Sequence, residues 1–243
     1  MEEHLYRTFY EVETRHWWFV ARQMIIEHLV HRDIQLTKGS RVLDVGCGTG
    51  AILASFSKDY ECYGTDTSPL AIEFCRKRNL KEVYQCTLEN FPHADLKFDL
   101  ILMLDVIEHI GDDRGILRQA SRLLKPGGHI LITVPAYQFL WSKHDDVNFH
   151  KRRYVKSGLR QVFEETGMKI QLLSYYNTIL FPLALISRFA QKILPTQIDK
   201  TLEIPPPFFN SLLTRTFSLE RYLIGQLSLP FGLSLVGIAA LNS

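Results

Sequence analysis

A glycine-rich loop directly after a short apolar run is the feature that most constrains the fold of this chain. The run is Arg41–Val45, and the loop Gly46–Gly50 carries glycine at alternate positions. Glycine lets a backbone turn sharply and approach a ligand closely, and a helix that begins after such a loop offers unpaired N–H groups. The pattern predicts a strand, a turn and a helix at the edge of a parallel sheet, with a ligand bound at the turn.

Short apolar runs alternate with amphipathic helical stretches from Arg41 onward. This alternation predicts an α/β fold, with a doubly wound, mostly parallel sheet of about seven strands whose last strand is antiparallel. The predicted strands are Arg41–Val45, Tyr60–Thr65, Glu82–Cys86, Phe98–Leu104, His129–Val134, Lys169–Tyr176 and Leu233–Leu241. The predicted helices are Pro69–Arg78, Asp113–Leu124 and Lys156–Thr166. Proline and glycine at 126–128 are stop signals for the second of these helices.

Two segments lie outside this alternation. Residues 1–39 form an N-terminal helical arm with a predicted helix Trp18–His31, and residues 40–243 form the main domain. Residues 177–230 are inserted before the last strand, with predicted helices Thr178–Leu194 and Phe208–Leu227. A connection of that length needs structure of its own. We expect a helical lid at the carboxyl-end rim of the sheet. For its apolar residues, added core or a homodimer interface ranks slightly ahead of a substrate pocket or a bilayer contact.

Composition excludes several classes of protein. The 243 residues are 46% hydrophobic and 22% charged, as in an ordinary globular domain. The net charge of +2 gives the chain no overall attraction to nucleic acid. The acidic N-terminus lacks the apolar region of a secretory signal, and no run of about 18 apolar residues predicts a membrane span. The four cysteines form no CxxC pair. We therefore expect a cytoplasmic protein with reduced thiols.

Two aspartates narrow the ligand class. Asp66 lies 20 residues after Gly46, at the end of the second predicted strand, where a carboxylate can accept both ribose hydroxyls of an adenosine. Asp44 precedes the loop, where its charge opposes a pyrophosphate but suits a cationic ammonium or sulfonium group. The glycine spacing is GxGxG and not the GxGxxG of dinucleotide sites. A nicotinamide dehydrogenase is therefore the minor alternative.

Four segments resemble, in order, the motifs of class I S-adenosylmethionine-dependent methyltransferases. They are Val42–Gly50, Tyr63–Pro69, Phe98–Ile110 and Leu123–Gly128. The third resembles the fourth-strand motif of quinone-type small-molecule methyltransferases. The resemblance covers about residues 41–136 and implies a Rossmann-like methyltransferase fold, with S-adenosylmethionine as methyl donor and S-adenosylhomocysteine as product.

The resemblance also implies which residues hold the cofactor. Asp44 and the backbone of the loop would bind the methionine portion, Asp66 the ribose, and Thr67 would lie beside the adenine. Thr87 stands where many family members have an aspartate for the adenine amino group, and a hydroxyl accepts a hydrogen bond more weakly than a carboxylate. The full implied set is Asp44, Gly46, Cys47, Gly48, Gly50, Asp66, Thr67, Thr87, Leu88, and Met103 and Leu104 on the cofactor floor.

An aromatic cluster, Trp17-Trp18-Phe19, begins the N-terminal helix and is followed by Arg22. Such clusters are usually core or docking contacts. N-terminal helices in the family that the chain resembles often cover the cofactor, which makes Arg22 a candidate for binding the methionine carboxylate.

Residues 141–154, here called the polar segment, follow the fifth predicted strand and supply candidates for catalysis. His144 and His150 are candidate general bases, and Arg152, Arg153 and Tyr154 are candidates for gripping an anionic acceptor. The alternative is a solvated basic loop leading into a helix. His109 is a third candidate base, although we expect it to cap and pack a turn. The spacing of His144, Asp145 and His150 matches no metal site, and none is predicted.

The acceptor is predicted to be a small molecule or a lipid-linked one. The tryptophan-rich arm, the polar segment and the apolar insert resemble, more loosely, bacterial methyltransferases of glycan and lipid-linked sugar pathways. Apolar residues of the insert would line a pocket or touch a bilayer.

Two alternatives stay open. A macromolecular methyltransferase acting on RNA or protein is disfavoured because the fourth strand is followed by Asp105-Val106-Ile107-Glu108 and not by an Asn/Asp-Pro-Pro-Tyr/Phe motif. The other is a cofactor-binding protein without catalysis.

Overall fold

One seven-stranded sheet organises the chain in a computed structural model that describes residues 2–186 and 202–241. The strands are β1 Arg41–Val45, β2 Glu61–Asp66, β3 Val83–Gln85, β4 Phe98–Leu104, β5 Leu124–Pro135, β6 Met168–Tyr176 and β7 Ser234–Leu241. Their order is β3-β2-β1-β4-β5-β7-β6. The strands β1 to β5 pair in parallel, and β7 runs antiparallel between β5 and β6. The predicted doubly wound α/β fold with an antiparallel last strand is confirmed.

Helices flank the sheet. They are α1 Glu3–Val12, α2 Trp17–Leu29, α3 Ala51–Phe56, α4 Pro69–Lys77, α5 Asp113–Arg122, α6 Lys143–Val147, α7 Lys156–Glu165, α8 Pro207–Ser218 and α9 Glu220–Leu223. The start of α4 follows its sequence signal, because Ser68 caps the helix by accepting a hydrogen bond from the backbone N–H of Ala71.

The fifth strand is longer than predicted. The helix α5 ends at Arg122, and β5 begins at Leu124, so residues 125–128 belong to the strand and not to a turn before it. The pairing with β4 shifts register between Phe98 and Leu100. A Cβ on Gly128 would lie 2.8 Å from the carbonyl oxygen of Phe98. The glycine therefore permits an irregular strand pairing at this point.

The N-terminal arm contains one helix that the sequence did not predict. The helix α1 is amphipathic and buries Leu5, Tyr6 and Val12, a pattern that the prediction of the arm overlooked. The ring of Tyr10 stacks on Phe74 of α4 with centroids 4.4 Å apart. The second helix of the arm starts one residue earlier than predicted and continues from Val30 to Ile34 as a π-helix.

The insert is only partly described. The prediction of a helix Thr178–Leu194 extends into residues 187–201, which lie outside the described residues, and residues 181–186 are helical. The predicted helix Phe208–Leu227 is wrong in extent: α8 and α9 are separate helices. Asn210 of α8 accepts a hydrogen bond from the backbone N–H of Trp17 at 2.9 Å, so the insert packs on the N-terminal arm. Within residues 2–186 and 202–241, no helix is long and apolar enough to cross a membrane.

Candidate active site

A large cavity, here called the central cavity, lies where the parallel strands β1, β2 and β4 end. Its volume is about 1260 Å³, beyond the range of roughly 300–1,000 Å³ that is usual for one small ligand. Its walls come from the glycine-rich loop, the arm, the segment 139–153 and the insert. The cavity therefore has room for two molecules side by side.

The glycine-rich loop needs its glycines for different reasons. Gly46 and Gly48 have φ of +72° and +54°, and both line the central cavity. A Cβ on Gly46 would also lie 2.7 Å from Val106 Cγ2. Gly50 has φ of +81° but is absent from the cavity wall, and a Cβ there would lie 2.7 Å from Cys75 Sγ. The prediction that Gly50 contacts the ligand is therefore corrected to a packing role behind the loop, while Cys47 does line the cavity.

Asp66 stands at the end of β2 with its carboxylate fixed by the backbone. It accepts hydrogen bonds from the N–H groups of Gly48 (3.0 Å) and Ser68 (2.9 Å). Burial raises its pKa above the ordinary range, and these two bonds oppose the rise. Tyr6 of α1 also bonds to this carboxylate, and burial together with Asp66 raises the pKa of Tyr6 to about 12. The arm thus already covers the predicted ribose position.

Asp44 is buried beneath the loop and lines the same cavity. Burial raises its pKa to about 7; the charge of Arg22 opposes that rise and the charge of Asp66 adds to it. A cationic ligand group placed beside this carboxyl would favour its ionised form.

Arg22 of α2 reaches across the cavity to the end of β4. Its guanidinium donates to Asp105 Oδ2 at 2.6 Å and to Thr133 Oγ1 at 3.0 Å. Asp105 has a φ of +59°, a conformation that costs energy for a residue with a side chain. The sequence suggested Arg22 for this site but did not reveal its partner Asp105. A contact between distant parts of the chain leaves no signal in the residue type.

The structure separates the two residues predicted for the cofactor floor, Leu104 and Met103. Leu104 lines the central cavity, whereas Met103 is fully buried in the core and does not reach the cavity. The reason is the alternation of side chains along a strand, which sends neighbouring residues to opposite faces. At the opposite wall, Thr67, Thr87 and Leu88 all line the cavity as predicted.

Asp145 organises the polar segment that follows β5. It is fully buried, and its carboxylate accepts hydrogen bonds from His150 Nδ1 at 2.9 Å and from two nitrogens of Arg153 at 2.7 and 2.9 Å. Bonds from His150 and Arg153 hold its pKa well below the ordinary value despite its burial, which acts in the opposite direction. The signal that would have revealed this residue is the capping box formed by Ser142 and Asp145 at the start of α6.

Two of the predicted acceptor-binding residues face away from the cavity. Arg152 Nη1 and the hydroxyl of Tyr154 donate to Asp113 Oδ2 at 3.0 and 2.8 Å, and neither residue lines the central cavity. Both side chains hold α5 against the polar segment, so the structure does not bring them together with the other acceptor-binding candidates. Arg153 does line the cavity, although its guanidinium is paired with Asp145.

Three histidines meet on the same wall. The rings of His109 and His150 are 4.7 Å apart in an edge-to-face arrangement, and those of His144 and His150 are 6.3 Å apart. All three line the cavity. Burial and the neighbouring His150 lower the pKa of His109 to about 4. His109 was expected to pack and cap a turn; the structure places it in the cavity wall as well.

Comparisons with known proteins agree with this architecture. Residues 43–132 match the family model of a methyltransferase domain. A tRNA (carboxymethyluridine(34)-5-O)-methyltransferase of Xenopus tropicalis is 34% identical over 50% of this chain and 18% of its own length. A demethylmenaquinone methyltransferase of Tropheryma whipplei is 35% identical over 40% of this chain and 42% of its own. The chain thus spans less than half the length of these two curated relatives.

A solved structure extends the likeness to the whole fold. An S-adenosylmethionine-dependent methyltransferase from Thermotoga maritima superposes with a TM-score of 0.56 at 19% identity, over 98% of this chain and 99% of that one. The matched segment 43–132 holds the glycine-rich loop, Asp66 and the end of β4. Residues 43–132 therefore correspond to a methyltransferase domain, and the chain around them has a Rossmann-like methyltransferase fold.

Proposed function

We propose that this protein transfers a methyl group from S-adenosylmethionine to a small-molecule or lipid-linked acceptor bound in the central cavity. The observation that carries the proposal is the shape of that cavity. One side is formed by the glycine-rich loop with Asp44 and Asp66, and the other by the polar segment and the insert. A donor and an acceptor placed in these two parts would meet near the end of β4.

On the donor side, each carboxylate suits one part of the cofactor. Asp66 is positioned to accept the ribose hydroxyls, and Asp44 lies where a cationic group would favour its ionised state. Arg22 projects from α2 into the same space, where one of its donors, Nε, has no hydrogen-bond partner among the described residues. That N–H supports the proposal that Arg22 binds the methionine carboxylate.

On the acceptor side, apolar residues form part of the wall. They are Leu140, just before the polar segment, and Leu180, Leu183 and Leu213 of the insert. Leu183 is also 61% exposed to solvent. An exposed apolar side chain that lines the cavity favours an acceptor with a hydrocarbon part. A peripheral contact with a membrane, a homodimer and a cytoplasmic location stay predictions.

In this proposal, a histidine of the polar segment removes the acceptor's proton. A sulfonium methyl is already activated, so the protein mainly positions the acceptor atom and assists its deprotonation. His150 is the stronger of the two candidates, because Asp145 fixes its ring through Nδ1 and leaves Nε2 toward the cavity wall. His144, whose Nε2 lies 3.2 Å from the amide of Asn148, is the second candidate.

Radiolabelled S-adenosylmethionine, incubated with the protein and with fractionated cell extract, tests the proposal. We expect label in the lipid or metabolite fraction, and none when Asp66→Ala replaces the wild-type protein. Label in RNA or protein instead would assign the macromolecular alternative. Tight cofactor binding with no label in any fraction would leave a binding protein without catalysis.

A further inference from the structure

Three side chains beside the proposed acceptor position bring their ligand atoms together. Glu108 and His109 follow β4, and His150 follows α6. One ligand atom from each lies within 4.8 Å of the other two. We propose that these three residues bind one divalent transition-metal cation, of which Zn²⁺ matches the ligand set best.

The first observation that supports the site is the buried carboxylate of Glu108, which has no partner among the described residues. Its side chain is fully buried, and no other described residue donates a hydrogen bond to either of its carboxylate oxygens. A buried carboxylate without a partner is costly. A cation bound to it would supply both the missing charge and the missing contacts.

The second support is the orientation of His150. Its Nδ1 lies 2.9 Å from Asp145 Oδ1, and Arg153 holds the same carboxylate in place. Metal-binding histidines usually donate their other ring N–H to a carboxylate, which fixes the ring and its tautomer. The arrangement leaves Nε2 of His150 as the ligand atom.

The third support is the environment of His109. Its ring bonds to the backbone carbonyl of Asn148 and packs edge-to-face against His150 at 4.7 Å. With one ring nitrogen bonded to this carbonyl, the other ring nitrogen of His109 is the ligand atom.

The ligand set fits a site with an open position. Two imidazoles and one glutamate are the protein ligands of several catalytic zinc sites, with a fourth position left for water or substrate. Ligand bonds of about 2.0–2.2 Å place ligand atoms roughly 3–4 Å apart, so a small rotation of the side chains completes the set. The central cavity lies on the open side, since all three residues line it.

The consequence for catalysis rests on the proposed function. An acceptor hydroxyl in the open position would bind the cation through oxygen, and its pKa would fall. The hydroxyl proton passes to water, the oxygen forms a bond to the methyl carbon, and the carbon–sulfur electron pair stays on sulfur. When the cation is bound, His150 acts as its ligand and not as the base, so this route replaces direct deprotonation by His150.

Zinc titration of the metal-free, tag-free full chain tests the site without any cofactor or acceptor. We expect calorimetry to show one Zn²⁺ per chain for the wild type. Glu108→Gln, which keeps the side-chain shape, and His150→Ala should each weaken binding by about 100-fold or more, and Asp145→Asn by about 10–100-fold. His31→Ala is the matched control, because His31 is exposed and lies outside the cluster. Thermal unfolding of each variant checks that it is folded.

Two results would overturn the site: no stoichiometric Zn²⁺ binding by the wild type, or binding that survives both Glu108→Gln and His150→Ala in folded protein. A preference for Fe²⁺ or Mn²⁺ would not hide the site, because nitrogen and oxygen ligands bind Zn²⁺ more tightly than either. The outcome is separable from that for the proposed function. Zinc binding without methyl transfer supports the site and contradicts the function, whereas methyl transfer without zinc binding does the reverse.

Discussion

At the scale of single residues, we expect the carboxyl of Asp44 to set the pH dependence of cofactor affinity. The groups that face it are Arg22 on α2, Asp66 on β2 and the thiols of Cys47 and Cys62. With a pKa of about 7, Asp44 is mostly protonated at pH 6 and mostly ionised at pH 8.

Because a sulfonium or ammonium group favours the ionised carboxylate, cofactor affinity should rise with pH through this window. The expected gain between pH 6 and pH 8 is about tenfold, measured by calorimetry with S-adenosylmethionine. Asp44→Asn should bind more weakly and with a flat profile. An affinity for the wild type that is flat or falls over this range would contradict the role of Asp44.

Asp66 carries the second prediction at this scale. Replacing it with alanine removes the charge-assisted acceptor for the ribose hydroxyls and should cost about 2–4 kcal/mol of cofactor binding. Asp59→Ala is a matched control, since Asp59 is an exposed aspartate in the turn before β2. Unchanged affinity in Asp66→Ala would defeat the assignment of the ribose site.

Residue type and position predicted a shared site for Asp44, Asp66, Gly46 and Gly48, and the structure places all four in the wall of one cavity. They did not separate Met103 from Leu104, because the face that a strand residue occupies depends on what packs against each side of the sheet. They also did not reveal that Arg152 and Tyr154 donate hydrogen bonds to Asp113. A charged residue in a loop is compatible with a site or with a structural ion pair, and only the tertiary contacts decide between them.

At the scale of elements, α1 is tied to the glycine-rich loop through a single carboxylate. Glu13, which directly follows α1, accepts a hydrogen bond from Thr49 Oγ1 and forms an ion pair with Arg78 Nη2 at 2.6 Å. Arg78 also donates to the carbonyl oxygen of Thr49 at 2.9 Å. These bonds join the arm, the loop and the end of α4.

Glu13→Ala should therefore lower the free energy of unfolding by about 1–3 kcal/mol, because it leaves the Arg78 guanidinium and the Thr49 hydroxyl without their partner. Denaturant unfolding measures this change. Glu11→Ala on the same helix is the control; its side chain is exposed, and a change within about 0.5 kcal/mol is expected. Equal effects of the two substitutions would show that the arm is not held through Glu13.

Most strands and helices were predictable because their apolar periodicity is strong, and β1 and β4 have the predicted bounds. The two failures differ in cause. The helix α1 has an apolar face in its sequence, with Leu5, Tyr6 and Val12 buried, and was overlooked. The start of β5 is set by pairing with β4 across Gly128, where tertiary contacts overrode the local preference.

At the scale of the whole molecule, the arm and the insert close the cavity that the sheet leaves open. The ring of Trp17 on α2 packs edge-to-face against Phe217 of α8, with centroids 6.1 Å apart, and Phe217 in turn stacks on Tyr176 at the end of β6. The arm, the insert and the sheet therefore share one packed junction beside the cavity.

Phe217→Ala should loosen this junction. Truncation of a fully buried phenylalanine costs about 3–5 kcal/mol, so a large fall in the melting temperature is expected. Phe208→Ala on the same helix is the control, because Phe208 is 72% exposed and should change stability little. A melting temperature unchanged by Phe217→Ala would mean that the insert does not pack on the arm and the sheet as described.

The most direct test of methyl transfer in the central cavity is a crystal structure with S-adenosylhomocysteine bound. The account predicts the ribose hydroxyls within hydrogen-bond distance of Asp66, the homocysteine portion above Gly46 and Gly48, and the sulfur facing the open space beside His144 and His150. A ribose bound away from Asp66, or a sulfur with no path through the cavity to these histidines, would contradict it.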